Sequence, residues 1–145
     1  LVHHVLKGAG VLISEDGRKA SFGPDTLIFL PPGYGHALAE RGDETELVVW
    51  KDVAQPLGDG LMRFPGCTNA SIVSACSTMS SDCAGLDPFA GLREPVVEQL
   101  PSEPGVWAAL TSILKELQTP RFGTKALAEA LMKQCLILAL RNQVE

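Results

Sequence analysis

The stretch Gly23-Pro-Asp-Thr-Leu-Ile-Phe-Leu-Pro-Pro-Gly-Tyr-Gly-His36 constrains the fold more than any other part of the chain. Pro31 and Pro32 lock two successive φ angles and remove two backbone donors. Neither a helix nor an interior strand can therefore run through them. The apolar run Thr26–Leu30 reads as one short strand covered on both faces. It stops at a rigid Pro-Pro-Gly corner, and His36 opens the next strand.

The rest of the first half repeats this rhythm. Val2–Leu6 and Val11–Ser14 flank the turn Lys7-Gly8-Ala9-Gly10, and Glu15-Asp16-Gly17 supplies a second hairpin signal. His36–Glu40 and Glu46–Asp52 are predicted to pair around Arg41–Glu44. Short strands between glycine turns imply an antiparallel sandwich or barrel. Residues 54–70 read as a linker or loop, and Ser71–Cys76 as a closing strand. Prolines at 88, 95, 101 and 104 forbid long regular structure before the C-terminal part.

That part is helical. Val106, Leu110, Ile113, Leu114 and Leu117 follow a helical stripe that ends before Pro120. A second helix starts with Thr124 as N-cap after Gly123, its stripe being Leu127, Leu131, Cys135 and Leu138. Met132, Leu136, Ile137 and Leu140 widen that stripe to most of the circumference. The short connection makes the helices antiparallel neighbours. The extra apolar face is expected either to pair two copies of the chain or to pack on the β part. The expected organisation is a β part over 1–100 and a helical pair over 101–145, in one structural unit.

With 46% hydrophobic and 20% charged residues, the chain is suited to a packed core. A net charge of −5 without a basic cluster argues against direct contact with nucleic acid. No apolar run has the length of a membrane span, no signal peptide is visible, and the expected location is the cytoplasm. Cys67, Cys76, Cys83 and Cys135 lack CxxC spacing and read as free thiols. A redox role for the first three is an alternative.

Val5-Leu-Lys-Gly-Ala-Gly-Val-Leu12, followed by Gly23–His36, resembles the cupin pattern of a "VLxGxGxL" hairpin and then "GDxxxxPxGxxH". Ser74-Ala75-Cys76, "LDPFAGL" at 86–92, Trp107 and "PRFGTKALAEALMKQCLILALR" at 120–141 extend it. Together they resemble the cupin-type N-terminal domain of AraC-family transcriptional regulators. The resemblance implies a mainly β fold with C-terminal helices: a cupin-like antiparallel β-barrel (double-stranded β-helix), truncated at its N-terminus, before a helix pair. It also implies an effector-sensing, homodimerising module, not an enzyme. DNA would be contacted only through a helix-turn-helix module outside these residues. The alternatives are a metal-dependent cupin enzyme of dioxygenase or isomerase type, and the cysteine redox sensor.

Alternation places His3 with Val5 on one face of the first strand and His4 with Val2 and Leu6 on the other. The resemblance favours His3 as the inward residue, points His36 into the barrel, and matches Cys76 to a family cysteine. His3, His36 and Cys76 carry donor types that suit one zinc or other transition-metal ion. The alternative is two buried histidines bonded to backbone, with Cys76 as a small core residue. A barrel of this size has a lumen just large enough for packed side chains or one small ligand. The expected ligand-binding residues are His36, Tyr34, Phe29, Trp50 and His3, with Phe22 and Phe64 as further lining.

Overall fold

The computed structural model describes residues 1–44, 47–58, 61–63, 71–78, 91–100 and 104–144. Phe64, Cys67, Cys83, residues 86–90 of the apolar motif and Glu46 lie outside them. The chain divides into two compact units, one of residues 1–47 and 71–99, the other of 48–70 and 100–145. Residues 48–70, read from sequence with the β part, thus group with the helices.

The first unit is antiparallel β. Its first sheet is built on β1 (Val2–Lys7) and β4 (Thr26–Phe29), flanked by β8 (Val73–Ser77) and β9 (Val96–Gln99) in the order β8-β1-β4-β9. The second has β2 (Gly10–Ser14) between β3 (Lys19–Phe22) and β5 (His36–Ala39). The corner predicted at Pro31-Pro32-Gly33 is a turn closed by Tyr34 N–H donating to the Pro31 carbonyl at 3.2 Å. Gly33 there has φ 71°, which a side-chain-free residue adopts without penalty.

Register fixes which side chains share a face. Cys76, His3, Ile28 and Val97 lie directly opposite one another across the first sheet. Ala20, Leu12 and Leu38 form a row of the second, and Ser14 faces His36. Val5, Leu12, Phe22, Ile28 and Leu30 make one buried cluster drawn from both sheets, with Tyr34 and Leu38 packed on it. The opposite face of the first sheet carries Val2, His4, Leu27, Phe29 and Ala75, also buried.

Two expectations about the strands are corrected. Lys19–Phe22, unmarked by a strong apolar run, is a strand because it completes the hairpin across Asp16-Gly17. The strand expected at Glu46–Asp52 does not form among the described residues; β2, not that segment, pairs with β5. Leu47, Val48, Val49 and Trp50 are all more than half exposed, so no core face holds them extended. The chain instead makes the short helix α1 (Trp50–Val53).

The second unit holds α1, the hairpin β6 (Gln55–Gly58) with β7 (Leu61–Arg63), and the helices α2 (Pro104–Gln118) and α3 (Thr124–Val144). The hairpin occupies a segment expected to be a loop; Gly58, at the end of β6, has φ 98°. α2 and α3 pack together. α2 buries Val106, Ala109, Leu110 and Ile113, as its periodicity predicts. α3 buries Ala128, Met132, Cys135 and Leu136, whereas Leu127 of the predicted stripe is exposed. Thr124 fixes the connection: its Oγ1 accepts from Arg121 N–H at 2.7 Å and donates to Glu116 Oε1 at 2.6 Å.

Candidate functional site

The polar end of the apolar cluster is where the two sheets of the first unit meet through side chains. β1 holds His3 on the inward face, β8 holds Cys76 directly opposite it, and β5 carries His36 from the other sheet. His3 Nδ1 contacts Cys76 Sγ at 2.5 Å, and His3 Nε2 contacts His36 Nε2 at 2.7 Å. The imidazoles meet edge to face, their centroids 4.8 Å apart. His36 Nδ1 reaches the Tyr34 carbonyl oxygen at 3.0 Å. Three residues spread over seventy positions of sequence are thereby brought into one chain of contacts.

The protons in this chain follow from elementary valence. A carbonyl oxygen only accepts, so His36 Nδ1 carries a hydrogen and donates it. Neutral His36 then has a bare Nε2, which accepts from His3 Nε2–H. That leaves His3 Nδ1 bare, and Cys76 S–H donates to it. A single neutral arrangement satisfies every nitrogen and the thiol.

The environment favours this neutral form. Burial, reinforced by His36 and by the α-amino group, lowers His3 to about 4. The protein packed around the Cys76 sulfur pushes its thiol up to about 11, against a weak opposing hydrogen bond from Ser74. Cys76 as a residue is nevertheless exposed, so solvent reaches it and the upward direction is the firm part of that shift. Tyr34 stands beside the histidines, half-buried, with its hydroxyl donating to Ser14 Oγ at 2.8 Å. Ser14 was not singled out from sequence, although its alternation with Leu12 and its register with His36 put it on the same inward face.

Two expected ligand contacts lie elsewhere. Phe29 is buried on the opposite face of the first sheet, because it is one residue out of phase with Ile28. Trp50 is 51% exposed and belongs to the second unit, with Lys51 Nζ 5.9 Å from its ring centroid. His4, expected on the face away from His3, is fully buried there, and neither ring nitrogen has a hydrogen-bond partner among the described residues.

The metal expectation can be tested against this geometry. An ion held by imidazole nitrogen at about 2.0–2.1 Å and thiolate at about 2.3 Å needs its donors to point at one centre. Here Cys76 and His36 sit at opposite ends of the His3 ring, each in direct contact with a different nitrogen. Among the described residues no group of three or more His, Cys, Asp or Glu is arranged to hold a metal ion. As they stand, these residues do not fit a shared ion.

Two antiparallel sheets that share an apolar cluster, with two histidines and a cysteine in contact between them, define a β-rich unit, and a helix pair follows it in the chain. The family model described as Cupin matches residues 1–145, and the chain belongs to the cupin family. No curated protein and no solved structure matches it. Among the described residues no helix is long and apolar enough to cross a membrane.

Proposed function

We propose that this chain is the effector-sensing and dimerising domain of an AraC-type transcriptional regulator, a closed cupin barrel whose ligand site is the Cys76–His3–His36 end of the inward cluster. One observation carries this reading: the site bridges two sheets through neutral, directional polar contacts beside an apolar interior. Neutral, directional contacts of this kind suit recognition of a small organic molecule by a few fixed donors and acceptors beside apolar side chains. A metal-dependent enzyme needs convergent donors with open positions. Those residues instead spend their donors on one another.

The expected result is that, in a melting screen of small metabolites, at least one compound stabilises the domain. A ligand at a hundredfold excess over its Kd adds about 2.7 kcal/mol, and His36→Ala should abolish the shift. No stabilising compound at millimolar concentration, or an undiminished shift in His36→Ala, would overturn the reading.

The dimerising part of the proposal rests on α3, where Leu127 and Ile137 are about half exposed. Isolated exposed apolar residues are ordinary, but two on one helix are suited to a partner copy. Leu127→Asp with Ile137→Asp should convert a dimer to a monomer in sedimentation while leaving melting near the wild-type temperature. A wild-type chain that sediments as a monomer at high concentration would end this part.

A further inference from the structure

We infer that the second unit carries a separate binding groove for small amphipathic carboxylates, in which Arg121 holds the carboxylate and Phe122, Leu57 and Leu61 cover the apolar body. The inference goes beyond the sensing proposal and does not rest on it: the Cys76–His3–His36 contacts take no part.

The groove follows from two local features of the chain. Pro120 ends the helical run of α2, and Gly123, at φ 81°, turns the chain sharply into α3. Three hydrogen bonds pin this corner. Arg121 N–H donates to Thr124 Oγ1 at 2.7 Å, Thr124 N–H to the Arg121 carbonyl at 3.1 Å, and Leu127 N–H to the Gly123 carbonyl at 3.0 Å. Phe122 sits between these anchors with its ring wholly exposed. On the hairpin, the β6–β7 register shifts between Pro56 and Gly58 and leaves Leu57 without a paired residue. An irregularity of this kind re-aims a side chain. Leu57, Leu61, Pro120 and Phe122, with Arg121, line a groove of about 690 Å³ between the hairpin and the corner. All of them belong to one compact unit.

That volume falls within the roughly 300–1,000 Å³ of small-molecule sites, whose lining is mostly apolar with a few placed polar groups. A phenyl ring left in water contributes nothing to folding, so covering it with a ligand is a net apolar gain. The charged group sets the sign of the ligand. Glu116 is held through Oε1 by the Thr124 hydroxyl at 2.6 Å, and its Oε2 takes Arg121 Nη2 at 3.4 Å. Nε and Nη1 of that guanidinium make no hydrogen bond among the described residues. A guanidinium has five donors, so one edge remains for a second carboxylate in the planar geometry it prefers. With a net charge of −5 the chain as a whole repels anions. An acid is therefore retained only where the local cation and the apolar walls act together, which selects an apolar carboxylate over an inorganic anion.

Hydrocinnamate is the probe, titrated at pH 7 into the isotope-labelled whole chain, with the backbone amide signals of Gly58 and Gly123 as reporters. Both should shift together and saturate with a millimolar or lower Kd. Arg121→Gln changes a side chain that is 77% exposed. It should keep the wild-type melting temperature and weaken binding at least tenfold, the scale of a hydrogen bond to a charged group. Phe122→Ser should weaken it by a similar factor. Hydrocinnamyl alcohol, with the same ring and no charge, should bind wild type no better than the acid binds Arg121→Gln. If Arg121→Gln fails to fold, Phe122→Ser and the alcohol carry the test. No saturable shift with millimolar hydrocinnamate, equal affinity for the alcohol, or wild-type affinity in either variant would overturn the inference. Saturable shifts at Tyr34 and His36 in place of the two glycines would also overturn it, and would favour the sensing site.

Discussion

Lowering the pH from 7.5 to 4.5 should remove several kcal/mol of stability from this domain, before most carboxylates titrate. His3 and His4 are both buried, and both titrate near 4 in the folded chain against 6.5 when solvated. Their folded values are depressed, so the unfolded chain binds more protons between those two pH values, and stability falls as pH drops through that window. It is complete above about 6.5 and changes no further below about 4. Each depression of roughly 2.5 units is a ceiling of about 3 kcal/mol, so the pair approaches half of a typical domain's stability. Urea unfolding at a series of pH values measures it. His4→Leu separates the two contributions. It replaces two unpartnered buried nitrogens with an apolar side chain of similar volume, and should match or exceed wild-type stability at pH 7.5. At pH 4.5 it should retain about 3 kcal/mol that the wild type loses. A pH profile of His4→Leu that parallels the wild type would refute the assignment.

Gly8→Ala should be the most damaging of the single-methyl substitutions. Gly8 has φ 86°, and a Cβ placed there would run into the backbone carbonyl oxygen of Ser71, which no rotamer change can move. The nearby Gly17, at φ 80°, has nothing within 4 Å of its would-be Cβ. The two glycines thus share a conformation and differ only in space. Gly17→Ala carries the left-handed penalty alone, about 1–2 kcal/mol. Gly8→Ala adds displacement of the chain leading into β8, and should total about 3 kcal/mol or more, roughly 10 °C in Tm for a chain of this size. Equal effects at both positions would show that Ser71 yields freely.

Much of the β framework was legible because it is punctuated. The Pro31-Pro32-Gly33 corner and the Gly8 and Gly17 turns announce their strands through backbone chemistry that no tertiary context can override. β3 and the β6–β7 hairpin escaped because their signals are tertiary: a four-residue strand gains its pairing from β2, and Pro56 disguises a hairpin whose other residues are ordinary. Leu47–Trp50 misled in the opposite direction, since an apolar run predicts a strand only where a core exists to cover it. At the site, alternation separated His3 from His4, and it was the family resemblance that put His3, His36 and Cys76 together. Their mutual order could not be read, because whether three donors surround a point or form a line depends on strand register to within one residue. The misplacement of Phe29 has the same origin.

The order of the first sheet sets a schedule for how the chain is made. β1 is translated before β4, but its other partner β8 lies about seventy residues after it and β9, on the far edge, later still. Until those segments leave the ribosome, the β1–β4 pair has open edges on both sides, and His3 has no cysteine beside it. Long-range pairing of this kind is slow and exposes strand edges while it waits. The intervening segment 48–70 belongs to the other unit, whose helices come after β9. Neither unit can close until its later segments have been synthesised, and a nascent chain stopped before β8 is the species most exposed to aggregation.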